Sequence, residues 1–578
     1  MGLRHAIFSW LNRRDLKGAE AAWQNPSGAQ QEALSRILRA HNSSGYLNHY
    51  GLNGDSSTKM FRERLPIVDY AELKPWISPL INAGNGDAPT TVDQNVSLFL
   101  KTSGTTGPAK LLPVTAAYEA ETGRGRRIWT QAMLREHDLN GDGSHVTIIS
   151  PMHEGHTAGG IPFGSNTGRI FKRQMGFIQY FAPVPYELFS LKDFTLRYYL
   201  IARFAAARFD VRTFTTANPS TVLLMFRQLM AHGLEIADDI EAGRICSPTR
   251  RQQLNAGNFG ELQDSEEAIN ALERGLRPSP RRARQLREAI KQGPEGLLPK
   301  IWPKLMSVNC WLGGHAPFYM DRIRPFLETE SSRTLVIRDP GFSASEGLFG
   351  IPLRSETSDG VLHVQGAFME FIPEHESGSR TLLVNALEVG QRYRIIVTTG
   401  GGLWRYNMND IIEVTGYHQK TPLVRFLYKA GGTLNITGEK VTEAHAITAA
   451  TSLARGHEIE QICATLELSD PPRYVIAVEP AGGTLAPNVL AADWERAMSD
   501  ANIEYAEKRE SGRLDHPRAF LVKKGTFRRW RERKVSAGAP DGQVKLPPLA
   551  SDLENLLKEL HQGRGALQQG DGFFAEGI

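Results

Sequence analysis

Hydrophobic positions in the first half of the chain alternate between helical spacing and short apolar runs. Apolar residues recur at helical spacing within 28–50, which predicts an amphipathic helix. Apolar runs at 96–100 and 146–149 predict buried strands, and Asn218-Pro219-Ser220 is typical of a helix start. This alternation of strands and helices predicts an α/β architecture.

Three further apolar runs and an arginine-rich segment follow. The runs at 305–312, 334–337 and 361–364 have strand character, and we expect them to continue the main sheet. The segment 277–287 holds five arginines but no interleaved aromatic residues for base stacking. It therefore predicts a solvated helix rather than a nucleic-acid patch.

The pattern changes at about residue 429. Helix-like and strand-like stretches then alternate at 441–453, 459–468, 474–478, 494–508 and 520–522. They predict a compact α+β unit, and the two glycines in Lys429-Ala430-Gly431-Gly432 suit a hinge. We therefore expect a large α/β N-terminal domain, 1–428, and a small mobile α+β C-terminal domain, 429–578.

Composition narrows the range of partners. The 67 basic and 63 acidic residues nearly cancel to a net charge of +4, which favours small-molecule partners over nucleic acid. Three widely spaced cysteines indicate reduced thiols rather than a disulfide framework. Neither a secretion signal nor an apolar stretch of membrane-spanning length is apparent, so we expect no membrane partner and a cytoplasmic location.

The segment from Thr102 to Lys110 reads TSGTTGPAK and follows a predicted strand. Its glycines permit positive φ and let backbone N–H groups approach an anion, while Ser103, Thr105 and Thr106 add hydroxyl donors and the lysine adds charge. The spacing is not GxxxxGK[ST], which disfavours a P-loop kinase or GTPase. The segment predicts a phosphate-binding turn, with an ordinary strand connection as the alternative.

Two segments suit the base and the metal of a nucleotide. Gly313-Gly314-His315 follows an apolar run, and its glycines would let a flat base approach the backbone. Residues 339–346 read DPGFSASE, in which the Phe342 ring can stack on a purine and the Glu346 carboxylate can hold Mg²⁺ against phosphate oxygens. An ordinary tight turn is the alternative for the glycines.

Two more segments offer an acid and a cation. Residues 400–412 read GGGLWRYNMNDII, and Asp410, at the start of a strand-like stretch, can accept hydrogen bonds from ribose hydroxyls. Residues 538–547 read GAPDGQVKLP, and Lys545 can bring a cation to a charge that develops in a transition state. A turn aspartate and a surface lysine are the alternatives.

The motifs TSGTTGPAK, FSASE, RYNMND and QVKLP occur in the order seen in acyl-adenylate-forming enzymes. More narrowly, residues 65–548 resemble the acyl-acid amido synthetases of the auxin-responsive-promoter family. Supporting segments are LPIVDYAELKPWI, TAGGIPFG, FMEFIP and GEKVTE. The resemblance implies a firefly luciferase-like fold with the active site between two domains. It also implies adenylation of a carboxylic acid with ATP and Mg²⁺, release of pyrophosphate, and transfer of the acyl group to an amino acid.

The resemblance also assigns roles to individual residues. It implies a phosphate turn formed by Thr102, Ser103, Gly104, Thr105, Thr106 and Lys110. It implies an adenine pocket formed by Gly313, Gly314, His315 and Phe342, and a further cofactor-binding residue, Ser345. Asp410 would bind ribose, Lys429 would lie at the domain hinge, and Lys440 and Lys545 would be the lysines of the small domain. The resemblance makes Glu346 the Mg²⁺ ligand, and Lys545, Glu346 and Lys440 the catalytic residues.

The chain departs from the family pattern at three places. Phe342 stands where relatives usually have tyrosine, so stacking survives but a hydroxyl contact is lost. Tyr428-Lys429 stands where glycine-arginine or arginine-arginine is commoner, and Val544 stands where tyrosine is frequent. The magnesium carboxylate and Lys545 are retained, so we expect an active enzyme.

Other classes of protein are weaker alternatives. An acyl-CoA ligase would share the adenylation step, and a non-catalytic nucleotide-binding protein would fit the departures at Phe342 and Tyr428. His153 and His156 do not have the HExxH spacing of a zinc site. Ser345 does not stand in GxSxG, so a serine hydrolase has little support.

Overall fold

A computed structural model of the protein describes most of the chain. The described ranges are 3–102, 110–137, 143–173, 181–260, 263–314, 316–328, 335–376, 380–430, 433–434, 439, 441–467, 469, 471–510, 512, 514–536, 544 and 546–550. The chain divides into two compact units. The large unit comprises Met1–Gly313, Tyr319–Met408 and Ile412–Phe426, and the small unit comprises Gly314–Phe318, Asn409–Ile411 and Leu427–Ile578.

Both units contain helices. They are α1 Leu3–Gln24, α2 Pro26–Ala40, α3 Gly45–His49, α4 Thr58–Arg64, α5 Tyr70–Ala83, α6 Ala116–His137, α7 Asn166–Arg173, α8 Phe194–Ala206, α9 Pro219–Ala242, α10 Pro248–Asn255, α11 Ser265–Gly275, α12 Pro280–Lys291, α13 Leu297–Ile301, α14 Pro317–Leu327, α15 Glu443–Gly456, α16 Pro487–Ala501, α17 Ile503–Glu510 and α18 Thr526–Ser536. Short 3₁₀ helices occupy Tyr186–Ser190 and Val384–Ala386.

The strands in the described ranges form five sheets. They are β1 Leu98–Lys101, β2 Leu111–Val114, β3 Ser144–Thr147, β4 Gly155–His156, β5 Pro162–Gly164, β6 Val211–Thr215, β7 Ser307–Asn309, β8 Val336–Arg338, β9 Phe342–Ser343, β10 Leu348–Ile351, β11 Gly360–Leu362, β12 Phe368–Pro373, β13 Arg392–Thr398, β14 Tyr406–His418, β15 Thr421–Lys429, β16 Thr433–Leu434, β17 Val441–Thr442, β18 Ile459–Glu467, β19 Arg473–Pro480 and β20 Arg518–Leu521.

Two four-stranded sheets belong to the large unit. One has the order β3-β6-β7-β8 and is parallel throughout, with helices in its connections, as expected for an α/β fold. The other has the order β2-β1-β5-β4, in which β1 pairs antiparallel with β2 and parallel with β5. The hairpin of β1 and β2 therefore brackets the predicted phosphate turn.

A seven-stranded sheet has the order β12-β13-β14-β15-β11-β10-β9. The three runs predicted to continue one main sheet are therefore divided. Those near 307 and 336 form β7 and β8 in the parallel sheet, whereas the one near 361 forms β11 in this larger sheet. The prediction of a common sheet was wrong, because strand propensity does not encode the partner of a strand.

Local signals explain several helix starts. α5 begins at Tyr70 behind a capping box, in which the Asp69 side chain accepts from backbone N–H groups and Glu72 reaches back to the Asp69 N–H. The proline of Asn218-Pro219-Ser220 opens α9 as predicted. The arginine-rich segment contains α12, but Arg282 is buried and donates to three backbone carbonyls.

The small unit has its own core. β18 pairs antiparallel with β19 along its whole length, and β20 adds in parallel, while Tyr474 and Trp494 are buried in the core beneath them. The helix predicted at 494–508 is two helices, α16 and α17, which meet at Asn502. The predicted α/β and α+β fold classes are both confirmed. No helix in the described part of the chain is long and apolar enough to cross a membrane.

Candidate active site

The ends of the predicted phosphate turn lie next to the RYNMND motif. The Thr102 N–H donates to the carbonyl of Lys110 at 3.0 Å, which closes the hairpin. The Lys110 ammonium donates to the Tyr406 hydroxyl at 3.0 Å and lies 5.7 Å and 5.6 Å from the ring centroids of Tyr70 and Tyr406. Two aromatic rings therefore hold this cation beside the turn.

The segment containing Tyr70 pairs with the motif directly. The Val68 N–H donates to the Arg405 carbonyl at 3.2 Å, and the Asn407 N–H donates to the Val68 carbonyl at 2.8 Å. The Tyr70 hydroxyl donates to the carbonyl of Leu111, the first residue of β2. Residues 65–77 thus link the lysine end of the phosphate turn to RYNMND.

Asp339 joins the two segments predicted to hold adenine. Its carboxylate accepts from the Leu312 N–H and from the Gly341 N–H, both at 2.7 Å. Burial raises the pKa of Asp339 to about 6, against the stabilising effect of these backbone donors. The Asp339 carboxylate therefore holds both the backbone that leads into Gly313 and the backbone just before Phe342.

Gly313 and Phe342 both lie against Phe426 of β15. The rings of Phe342 and Phe426 are stacked at 5.5 Å between centroids with an interplanar angle of 23°. A Cβ at Gly313 would come within 3.2 Å of the Phe426 carbonyl oxygen, so glycine suits this approach. Gly314 has φ +63°, which also favours glycine.

Ser345 and Glu346 occupy the tight turn between β9 and β10. The Ala344 and Gly347 backbones exchange hydrogen bonds of 2.9 Å and 3.3 Å across this turn. The Tyr118 hydroxyl of α6 donates to the Ser345 carbonyl at 2.9 Å. Burial raises the pKa of Tyr118 to about 12, so its hydroxyl keeps the proton that it donates.

Glu346 fits the role of a Mg²⁺ ligand. Its side chain is buried on this turn, and the turn's backbone is held by the hydrogen bonds just described. Mg²⁺ commonly takes one or two protein carboxylates together with waters and phosphate oxygens, so a many-ligand protein cage is not required. Within the described ranges, no group of three or more His, Cys, Asp or Glu side chains is arranged to hold a metal ion.

A second buried acid lies on α6. One Glu121 oxygen accepts from the Gly400 N–H at 2.9 Å, and the other has no hydrogen-bond partner among the described residues. Burial raises the pKa of Glu121 to about 7, although its bond from Gly400 acts in the opposite direction. This acid holds the glycine run that precedes RYNMND.

The motif RYNMND has an unusual backbone. Arg405 and Asn409 have φ values of +44° and +58°, which non-glycine residues rarely adopt. Asp410 lies within β14, whereas the sequence had placed it at the start of a strand. Its carboxylate accepts a hydrogen bond of 2.7 Å from the Lys429 ammonium. The predicted ribose acid and hinge cation are therefore direct partners in the small unit.

Several predicted residues lie outside the described ranges: Ser103, Gly104, Thr105, Thr106, His315, Lys440 and Lys545. Their roles stay predictions. Sequence reasoning also missed Asp339, Tyr118 and Phe426 as supports of the site. Of these, only Asp339 stood inside a quoted motif, while the others lie far from the motifs that they contact.

The fold is shared with solved structures of acyl acid amido synthetases. One is a GH3.15 acyl acid amido synthetase, with a TM-score of 0.79, 19% identity and 94% of each chain covered. Another is the AtGH3.15 acyl acid amido synthetase in complex with 2,4-DB, with a TM-score of 0.76, 20% identity and 95% of each chain covered.

The chain belongs to the GH3 family. Models of the GH3 family N-terminal, central and C-terminal domains match residues 15–331, 360–429 and 442–554. An indole-3-acetic acid-amido synthetase, GH3.8, of Oryza sativa subsp. indica is 28% identical over 90% of this chain and 88% of its own length. A jasmonoyl-L-amino acid synthetase, JAR4, of Nicotiana attenuata is 25% identical over 90% of each chain.

Proposed function

We propose that this protein is an ATP-dependent acyl-acid amido synthetase. It adenylates a small carboxylic acid, releases pyrophosphate, and transfers the acyl group to an amino acid to form an amide. The relatives named for amide synthesis match nearly the whole chain, which supports this activity over one carried by a single shared domain.

One observation carries the proposal. Asp339 binds the backbone at Leu312 and at Gly341, so that Gly313 and Phe342 meet at Phe426. Glycines let a purine approach the backbone closely, and an aromatic ring gives it a surface on which to stack.

In the first half-reaction, the substrate carboxylate attacks the α-phosphorus of ATP and the bond to the bridging oxygen breaks. We propose that Lys110 and the backbone of 102–106 neutralise phosphate charge, that Phe342 and the Gly313-Gly314-His315 segment bind adenine, and that Asp410 binds ribose. Mg²⁺, when held by Glu346, would supply further charge neutralisation at the phosphates.

In the second half-reaction, the amine attacks the acyl carbon, a C–N bond forms, and the C–O bond to AMP breaks. We propose that residues 429–578 act as a mobile domain whose lysines, Lys440 and Lys545, serve the adenylation step, and that Lys429 lies at the hinge. The fully buried Cys310 and Cys463 are free thiols, which supports a reducing, cytoplasmic location.

The test is a screen of carboxylic acids by ATP–pyrophosphate exchange. It includes indole-3-acetic, jasmonic and 2,4-dichlorophenoxybutyric acids, and active acids are then combined with the twenty amino acids and read by mass spectrometry for amides. We expect acid-dependent exchange and an amide product. A thioester formed with coenzyme A, and no amide, would instead identify an acyl-CoA ligase. Failure of every acid to release AMP would favour a non-catalytic nucleotide-binding protein.

A further inference from the structure

An ion pair at the end of β1 is not used by the nucleotide site. Lys101 is the last residue of β1, and Thr102, the first residue of the predicted phosphate turn, follows it directly. Its ammonium lies 3.6 Å from a carboxylate oxygen of Glu154, which precedes β4. Both side chains are largely buried, with 19% and 13% of their surfaces exposed.

Backbone contacts hold Glu154 in a fixed position. The Glu154 N–H donates to the Phe163 carbonyl at 2.8 Å, in the pairing of β4 with β5, and β5 pairs with β1. A Cβ at Gly164 would come within 2.0 Å of the Met152 carbonyl oxygen, so the loop packs backbone against backbone. The carboxylate is therefore presented by a rigid support, as a binding group needs to be.

The charge around this carboxylate is predominantly positive. Besides Lys101, the ammonium of Lys192 acts on Glu154, and Lys172 and His156 act on the neighbouring His153. The Lys101 ammonium also lies 5.7 Å from the Phe163 ring centroid. A cluster that combines several cations with an acid is suited to a ligand that carries both a negative and a positive group.

The pair itself supplies the two charges that such a ligand needs to meet. The Lys101 ammonium and the Glu154 carboxylate form an ion pair at 3.6 Å. A zwitterion can exchange partners with the pair, its carboxylate facing Lys101 and its ammonium facing Glu154. Each charge of the zwitterion would then face a protein charge of opposite sign.

We infer that Lys101 and Glu154 bind the amino acid acceptor, with Lys101 taking its α-carboxylate and Glu154 its ammonium. This inference rests on the proposed function. One proton passes from the ammonium to the Glu154 carboxylate, and the amine attacks the acyl carbon. The C–N bond forms, the C–O bond breaks with its electron pair leaving on AMP, and the second proton leaves to water. Burial raises the pKa of Glu154, which makes it a better proton acceptor than an exposed glutamate.

The test compares Lys101→Met and Glu154→Gln with the wild type. The matched control is the exposed pair Lys59 and Glu63, separated by 3.9 Å and changed in the same way. Acid-dependent ATP–pyrophosphate exchange measures adenylation, and hydroxamate formation with hydroxylamine measures acyl transfer to a nucleophile that has no carboxylate. Amide formation is measured against the concentration of the amino acid and of its methyl ester.

We expect both variants to keep exchange and hydroxamate formation near the wild-type rate, and to raise the KM for the amino acid about tenfold or more, the effect of losing one charged hydrogen bond. Glu154→Gln should also lower the kcat of amide formation, because it removes the group that accepts the ammonium proton. Lys101→Met should also abolish the preference for the free amino acid over its methyl ester, whereas Glu154→Gln should keep it. The control pair should change neither measurement.

Conservative variants distinguish binding from a purely structural role. Lys101→Arg should keep the preference for the free acid, and Glu154→Asp should keep part of the amide rate. Exchange that falls as far as amide formation in Lys101→Met and Glu154→Gln, or an ester preference unchanged in Lys101→Met, would overturn the inference while leaving the proposed function intact. A wild type without exchange for any acid would overturn both.

Discussion

Lys429 donates a hydrogen bond of 2.7 Å to Oδ1 of Asp410, and the two side chains differ sharply in exposure, at 51% and 6%. The Ala430 N–H also donates to the Asn409 carbonyl, so the backbones on either side of this pair are joined as well. The lysine therefore meets the acid that we assign to ribose. It supplies a cation there, without the paired donors of a guanidinium.

We predict that Asp410→Asn raises the KM for ATP about tenfold or more in pyrophosphate exchange, because an amide is a weaker acceptor for ribose hydroxyls and leaves Lys429 without its charge partner. Lys429→Ala should have a smaller effect on the same KM, since the acid that contacts ribose remains. Asp359, which pairs with Arg425, offers a control as Asp359→Asn. An ATP dependence that is unchanged in Asp410→Asn would contradict the ribose assignment.

The local parts of this site could be predicted from sequence. Phe342, Glu346 and Asp410 stand in short motifs whose chemistry is visible in consecutive residues, and the alternation after residue 429 predicted the strands and helices of the small unit. What joins the motifs could not be predicted in the same way. The Glu121 and Gly400 hydrogen bond spans 279 positions, and the Tyr118 and Ser345 bond spans 227.

Sheet membership was unpredictable for a related reason. β8 and β11 both looked like strands of the main sheet, yet they lie in different sheets. Short apolar runs carry strand propensity but no record of their partners, which depend on tertiary packing. Phe426 could not be predicted for the same reason. In the sequence it is an ordinary strand residue, and only the tertiary structure brings Gly313 and Phe342 beside it.

Tyr118 offers a test of how the turn that carries Glu346 is held. We predict that Tyr118→Phe lowers stability by about 1 kcal/mol, because the Ser345 carbonyl loses its donor. It should also raise the Mg²⁺ concentration needed for half-maximal exchange, because Glu346 is adjacent to the loosened carbonyl. Melting temperatures and Mg²⁺ titrations measure the two effects.

Tyr417→Phe is the matched control, because the Tyr417 hydroxyl also donates to a backbone carbonyl, that of Leu387, and its side chain is exposed. It should leave the Mg²⁺ dependence unchanged. An equal shift in both variants, or none in Tyr118→Phe, would show that this hydroxyl does not position the turn.

Glu121 makes stability depend on pH. Its pKa is about 7 in the folded protein against 4.5 without the fold, so the folded state holds a proton that the unfolded state has lost between these values. The stabilisation is therefore complete below about pH 4.5 and is lost as the pH rises toward 7. Glu121→Gln stays neutral and still accepts from Gly400, so it should lose less stability than the wild type over this range.

The wild type should therefore lose at most about 3 kcal/mol more of its free energy of unfolding than Glu121→Gln by pH 8, since each pKa unit is worth about 1.4 kcal/mol. Melting temperatures of the two proteins, taken at intervals from about pH 5 to about pH 8, measure it. Glu63→Gln, at an exposed site, should follow the wild type. Parallel curves for wild type and Glu121→Gln would mean that this carboxylate is ionised throughout.

Lys545 tests whether the two half-reactions use different groups. We predict that Lys545→Ala slows pyrophosphate exchange about 10²-fold or more, because a cation that meets charge developing at the α-phosphate is lost, while aminolysis of a preformed acyl adenylate continues. Lys524→Ala, at an exposed lysine of the same unit, is the control and should affect neither step. Lys440→Ala, assayed in parallel, shows whether the second lysine shares this role. Loss of exchange and aminolysis to the same extent in Lys545→Ala would refute the assignment, since a group used only in adenylation cannot slow the attack of an amine on an adenylate that is already made.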